Sequence, residues 1–407
     1  MSFTSRDDTR WRDVYVVAGS RAVSVCGDFL AATTLALVLQ QGGHGGLAVS
    51  GLMLAASLPL AVLAPITGRL ADRADSRTIL AVVPLLQAAV CLALAFATHP
   101  VAIIGLVALL ACGLAFTQPV LGALLPEIAR REDLAKASGL TQTAGNIGML
   151  VAPALAGILV GQTGARLPLL LDAASYLALV VAALSLRTRR KGLGTGKAAL
   201  VPWRLRDDRT LSVMVGVLAA SIAGVSLIQV VEVFFIRDTL GASTTDFGFV
   251  AASWTVGMLL GNVIFSRVPP RRITVPALLV VVAGSCLPLV LGATAPGPYW
   301  LIPLWIAGGV CNGGINVFIT VIVAGRTPSA ARGRAFAALN AAVQGAGMIG
   351  LLVAGPLVEV ADPRLLMAVA GAFGLVILLS SIPLVRREPP SVPATSEAPP
   401  VRDSVGA

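Results

Sequence analysis

The stretch VAIIGLVALLACGLAFTQPVLGALLP, residues 101–126, contains no charged side chain. A helix rises about 1.5 Å per residue and a bilayer core of about 30 Å needs about 20 residues, so this segment is long enough to cross a membrane. Eleven more segments read the same way: 14–39, 47–68, 77–97, 134–161, 167–187, 211–235, 246–266, 273–293, 299–324, 334–359 and 364–385. Strands of a membrane barrel would be about half this length and would alternate apolar with polar. The expected fold is therefore an all-α membrane protein of twelve transmembrane helices. Segment 14–39 is too long for a cleavable signal peptide and lacks a small-residue cleavage site.

Composition excludes most other classes. Only 12% of the 407 residues are charged and 56% are hydrophobic, too little charge to cover a water-facing surface. The net charge of +10 is explained by where the basic residues fall. Of 30 Lys and Arg, 26 lie on one set of alternate connections and only Arg166, Arg237 and Arg364 on the other, with Arg21 inside the first span. The positive-inside rule then puts both termini in the cytoplasm of a multi-pass cell-membrane protein. Basic residues confined to loops without aromatic interleaving argue against nucleic acid.

Five cysteines fall inside spans with no CxxC, and His44 and His99 lie in outer loops without ligand partners, so no metal is expected. Gly192-Leu-Gly-Thr-Gly-Lys197 lacks the spacing of a phosphate loop and follows no strand, so no nucleotide cofactor and no enzyme activity are expected.

The most charged internal connection, 188–210, divides the chain into 1–187 and 211–387, with a Pro- and Ser-rich tail, 388–407, expected to be disordered. Gly145 to Pro153 in span five is echoed by Gly345 to Pro356 in span eleven. A parallel duplication of six spans suits a transporter with its site between the halves.

The connection Gly68-Arg-Leu-Ala-Asp-Arg-Ala-Asp-Ser-Arg-Thr-Ile-Leu80 resembles the signature loop of the major facilitator superfamily. Gly68, Leu70, Ala71, Asp72, Arg73, Arg77 and Leu80 match, while Asp75 and Ser76 stand where glycine and a basic residue are usual. The resemblance implies a gate, in which Gly68 permits close helix approach, Asp72 faces a helix N-terminus, and Arg73 and Arg77 pair with Glu127. Gly139, Gly148, Pro153 and Gly157 in span five resemble the superfamily's antiporter motif, with alanine at two glycine positions. That motif implies export; close packing of small residues is the alternative, with Pro153 bending the helix. The whole is similar to the enterobactin- and macrolide-exporter branch. Span four lacks the Arg that drug–proton antiporters of the superfamily carry there.

Ionisable residues at membrane depth are costly and point to function. Asp28 lies near the middle of span one and shares a helical face with Arg21 and Ser24. It is a candidate proton or substrate site, since burial favours a neutral carboxyl; permanent ionisation by Arg21 is the alternative. Glu232 is a second cation or proton candidate, or else pairs with Arg237. Asp172 reads as structural. Gln118, Gln142, Asn146, Gln229, Asn312, Asn316, Asn340 and Gln344 supply neutral polar groups to spans expected to line a central cavity. Few charges among many Ala, Leu and Val residues suit an amphipathic substrate.

The expected function is a monomeric, proton-coupled exporter of small amphipathic compounds such as antibiotics or siderophores. A facilitator or importer of a small metabolite, and a non-transporting receptor or scaffold, are the alternatives.

Overall fold

A computed structural model describes residues 9–73, 75–130, 132–185, 208–327 and 332–386, and a few side chains within helices are not described. Among the described residues there are twelve helices long and apolar enough to cross a membrane, and no strand. They are α1 (Trp11–Gln41), α2 (Gly45–Arg73), α3 (Ser76–Leu94), α4 (Pro100–Ile128), α5 (Leu134–Thr163), α6 (Arg166–Ser185), α7 (Arg209–Phe234), α8 (Thr244–Ser266), α9 (Val275–Gly292), α10 (Leu301–Arg326), α11 (Arg332–Val360) and α12 (Pro363–Arg386). Large apolar side chains such as Leu86, Val101, Val280 and Val360 stand exposed on the outside of the bundle, where a lipid solvent accepts them. Tyr15 near the start of α1, and Tyr299 and Trp300 just before α10, are also exposed, at opposite ends of the bundle, as interfacial aromatic belts require.

Local chemistry sets the helix ends. Asp75 accepts a bond from the Arg77 amide at 3.0 Å and caps α3, and its backbone (φ −70°, ψ 120°) needs no glycine. This accounts for aspartate where the resembling family has glycine. The stretch from Gly68 is helical through Arg73, so the connection between spans two and three is shorter than the sequence suggests. His99, expected as a surface loop residue, caps α4 by accepting from the Val101 amide. Asp208 caps α7 and pairs with Arg326 at the end of α10, at 3.2 Å. Ser243 and Asp246 form a reciprocal capping box at α8. The proposed linker falls mostly, and the tail beyond Arg386 wholly, outside the described residues.

Packing repeats with a period of six helices. The pairs α1–α5, α2–α4, α3–α6 and α1–α6 recur as α7–α11, α8–α10, α9–α12 and α7–α12. The two groups of six are joined by α5 against α8 and α2 against α11, and these seams exchange under the same shift. The tightest joint inside a group is α8–α10. Added Cβ atoms at Gly257 and Gly261 would lie 2.2 and 2.0 Å from the Ile306 and Val310 carbonyl oxygens. At Gly309 and Gly313 they would lie 2.2 and 2.3 Å from those of Trp254 and Met258. Two small-xxx-small pairs thus face each other.

Both seams between the groups lie at the end of the bundle opposite the basic connections. Gly157 of α5 meets the Thr244 carbonyl and Gly248 of α8, where an added Cβ would be 2.3 and 3.1 Å away. Gly46 meets the Gly355 carbonyl and Val358, and Gly355 in turn meets Ser50. At the same end the Leu47 amide donates to Glu359 (3.3 Å), and the Gln40 amide donates to Asp238 (2.7 Å) while accepting from Arg237 (3.4 Å).

Candidate functional site

The first six helices hold a carboxyl cluster on α1 and α6. Asp28 accepts a hydrogen bond from the Tyr176 hydroxyl at 2.5 Å. One turn before Tyr176, the buried Asp172 accepts from Ser175 (3.2 Å) and from the Cys91 thiol of α3 (3.1 Å). Gly27 brings α1 this close: a Cβ there would sit 2.3 Å from the Asp172 carboxylate. Beside the cluster is a cavity of about 80 Å³, walled otherwise by aliphatic side chains of α1, α2 and α4. It has room for water and little more.

Arg21 is not the partner of Asp28. It lies on the same face, but seven residues amount to about 10 Å of helix rise. Its guanidinium reaches Gln118 of α4 at 3.5 Å and packs over Gly145 of α5, and its buried Nε has no hydrogen-bond partner among the described residues. Asp28 therefore contacts a hydroxyl and no cation among the described residues.

Glu232 on α7 accepts from the Trp305 indole of α10 at 2.7 Å. Both line a cavity of about 340 Å³ that spans the two groups of helices, with Phe29, Met149 and Pro153 on one side and Gln229, Trp254 and Met258 on the other. It lies directly on the basic-connection side of the α5–α8 seam. The alternative, a pairing of Glu232 with Arg237, is not made. Five residues place the two about 140° apart on a regular α-helix, and Arg237 itself lies inside a π-helical turn, Phe235–Thr239. Arg237 instead binds Gln40 and the Ala242 carbonyl.

A third cavity, about 270 Å³, lies within the second group and is lined by Asn312, Asn316 and Asn340. Gln229 lines the interfacial cavity, Gln142 donates to Asn146 at 3.2 Å along α5, and Gln344 is exposed on α11.

The motif residues separate in space. Arg77 donates to the Leu184 carbonyl of α6 at 2.8 Å, so the expected pairing with Glu127 of α4 is not made. Glu127 is exposed at the end of α4 nearest the basic connections; the side chains of Gly68, Asp72 and Arg73 lie outside the described residues. In span five, Gly148 is required by α1, since a Cβ would lie 2.4 Å from the Ala22 carbonyl, and Gly157 by α8. A Cβ at Gly139 would meet nothing within 4 Å among the described residues, so the alternative of close packing finds no contact there. Pro153 sits within an unbroken α5, its carbonyl against Gly248. Sequence reasoning missed Tyr176 and Trp305 as carboxyl partners and Gly248 as the other half of the seam; the Gly-x3-Gly spacings at 257/261 and 309/313 were a readable signal for the α8–α10 joint.

Residues 17–228 and 211–406 each match the family model described as Major Facilitator Superfamily. The "Uncharacterized MFS-type transporter YfiS" of Bacillus subtilis is 24% identical over 399 residues, covering 93% of this chain and 94% of that protein. The "Multidrug efflux pump Tap" of Mycolicibacterium fortuitum is 26% identical over 372 residues, covering 83% and 89%. Among solved structures, a bacterial homolog to human lysosomal transporter Spinster, inward-facing, aligns with a TM-score of 0.73 at 14% identity, covering 95% of this chain and 100% of that one. The nucleoside transporter NupG aligns with a TM-score of 0.73 at 15% identity, covering 92% and 100%.

Proposed function

Because the chain belongs to the major facilitator superfamily, and is thus a multi-pass membrane transporter rather than an enzyme, we propose that it exports small amphipathic compounds in exchange for protons. The observation that carries this reading is the interfacial cavity. Its volume of about 340 Å³ falls within the range of drug-sized sites, about 300–1,000 Å³. Phe29, Trp254, Trp305 and the methionines offer apolar and aromatic surface, and Glu232 offers the one carboxylate among the described lining residues. An aromatic wall around a carboxylate favours an organic cation. Relatives named as multidrug efflux pumps support the direction.

With the basic connections cytoplasmic, the seams lie on the outer side and the cavity belongs to an inward-facing state, the loading state of an exporter. Asp28 would carry the proton. It lies beside a cavity too small for a drug, contacts no cation among the described residues, and accepts from the Tyr176 hydroxyl. Exchange of one proton for one monovalent cation moves no net charge, so the pH gradient drives it, at about 1.4 kcal/mol or tenfold per pH unit; for an uncharged compound the membrane potential adds about 2.3 kcal/mol per 100 mV.

The test is proton release in energised everted vesicles, read by a pH-quenched dye on adding tetraphenylphosphonium, macrolides or siderophores. Dequenching in wild type and none in Asp28→Asn is the expected result. Equal dequenching in both would move coupling off Asp28. No response to any compound, with counterflow of a metabolite instead, would overturn export.

A further inference from the structure

The interfacial cavity is walled in part by two indoles, and they are held in different ways. Trp305 is fixed. Its Nε1 donates to Glu232 at 2.7 Å, it is almost fully buried, and its outer ring lies against Gly292 of α9, where an added Cβ would be 2.7 Å from Cζ3. Trp254 of α8 is half-buried, and its indole N–H makes no hydrogen bond to another described residue. Its ring rests on Gly308 of α10. The three atoms nearest an added Cβ there are Cζ3, Cη2 and Cε3 of this one ring, at 2.7, 3.3 and 3.5 Å.

The neighbouring glycine has a different task. A Cβ at Gly309 would meet the Trp254 carbonyl and the backbone of Gly257 and Met258, so the close approach of α8 and α10 requires that glycine. At Gly308 the nearest atoms belong to the far end of a side chain, which can turn about its two torsions. The helices themselves are locked through Gly257, Gly261, Gly309 and Gly313 and have no freedom to part. An added methyl group at Gly308 would therefore displace the indole and leave the backbone in place.

In a close-packed interior a displaced ring moves toward free space, and the free space that Trp254 borders is the interfacial cavity. At about 340 Å³ this cavity is near the lower edge of drug-sized sites, about 300–1,000 Å³. A ring that swings into it decides what still fits.

We propose that Gly308 is a specificity-determining residue. By seating the Trp254 indole against α10 it holds the cavity open to bulky aromatic cations, and a methyl group in its place restricts loading to small ones. The proposal rests on the reading of this cavity as the substrate site. Glu232 attracts positive charge whatever the size of the ligand; Gly308 and Trp254 set the size.

The test is equilibrium dialysis on the full chain in lipid nanodiscs with two cations of equal charge, tetraphenylphosphonium and the small tetramethylphosphonium. Alanine is the better helix former, so Gly308→Ala is expected to fold. It should weaken tetraphenylphosphonium binding about tenfold, equivalent to about 1.4 kcal/mol, and leave tetramethylphosphonium within about twofold of wild type. Adding Trp254→Phe, which removes the outer ring, should restore tetraphenylphosphonium binding to within a few-fold. In protein labelled with 5-fluorotryptophan, Gly308→Ala should shift the fluorine resonance of Trp254, identified by its loss in Trp254→Phe, and leave that of Trp300 in place. An unshifted Trp254 resonance, an equal effect on the two cations, or a loss that Trp254→Phe does not repair overturns the proposal and leaves the substrate site standing. Wild-type binding of both cations that is indifferent to Glu232→Gln would overturn the substrate-site reading, and the proposal with it.

Discussion

Asp28 and Glu232 are both carboxyl groups at membrane depth, yet their surroundings differ in scale. Asp28 meets a phenol beside a space of about 80 Å³; Glu232 meets an indole beside one of about 340 Å³. Neither contacts a cation among the described residues. The first site lies wholly within one group of six helices, and the second lies between the groups. The proposed function assigns them a division of labour: the small room would hold a proton, and the large one between the groups would hold a drug. Proton and substrate would then compete through the relative movement of the helices, with no shared ligand.

The largest test of this division is Asp28→Asn, which should remove proton-driven flux while leaving the protein able to bind. A membrane-embedded carboxyl has no neutral substitute that can exchange a proton, so residual flux in the vesicle assay would break the comparison. The next is the seam that keeps the interfacial room closed on one side. Gly248→Leu must displace the Pro153 carbonyl, which an added Cβ would approach to 2.5 Å. Overpacking of this kind costs about 1–3 kcal/mol. The substitution should lower thermal stability in detergent and raise labelling of an engineered Cys at Gly161 from the outer side. Unchanged labelling would show that the seam is not a gate.

Tyr176→Phe sharpens the comparison further. It deletes the hydrogen bond from the phenol to Asp28, worth about 0.5–1.5 kcal/mol while the carboxyl is neutral and about 1.5–3 kcal/mol while it is ionised. Proton-coupled flux should fall at least several-fold while drug affinity in dialysis stays within the error of the measurement. The smallest effect is at Gly139, where an added Cβ would meet nothing within 4 Å among the described residues. Gly139→Ala should leave flux intact and stabilise α5 by up to about 1 kcal/mol, visible as a small rise in melting temperature. A loss of flux there would restore the motif role that the structure does not support.

Much of the fold was legible because a bilayer restricts backbone to helices, and length and charge then count them. All twelve spans and the six-helix period are readable this way. The polar contacts were less so. Tyr176 lies 148 residues from Asp28, and Trp305 lies 73 from Glu232; such pairs depend on helix rotation and register, which hydropathy leaves undetermined. For the same reason two alternative pairings stayed open that the structure does not make. Arg21 shares a face with Asp28 but sits two turns away, and on a regular α-helix Arg237 would be turned from Glu232 by about 140°. The span-five glycines mixed a true signal at Gly148 and Gly157 with an idle position at Gly139, because a spacing pattern does not say which neighbour is present.

The most direct measurement of the central claim is a paired affinity determination. Tetraphenylphosphonium binding would be read by quenching of tryptophan fluorescence in nanodiscs for wild type, Asp28→Asn and Glu232→Gln. A division of labour requires Asp28→Asn to retain the wild-type Kd to within a few-fold and Glu232→Gln to weaken it by about tenfold or more, the scale of one lost charge-assisted contact. Equal weakening by both substitutions would mean that the two carboxyls serve one site, and would contradict the account.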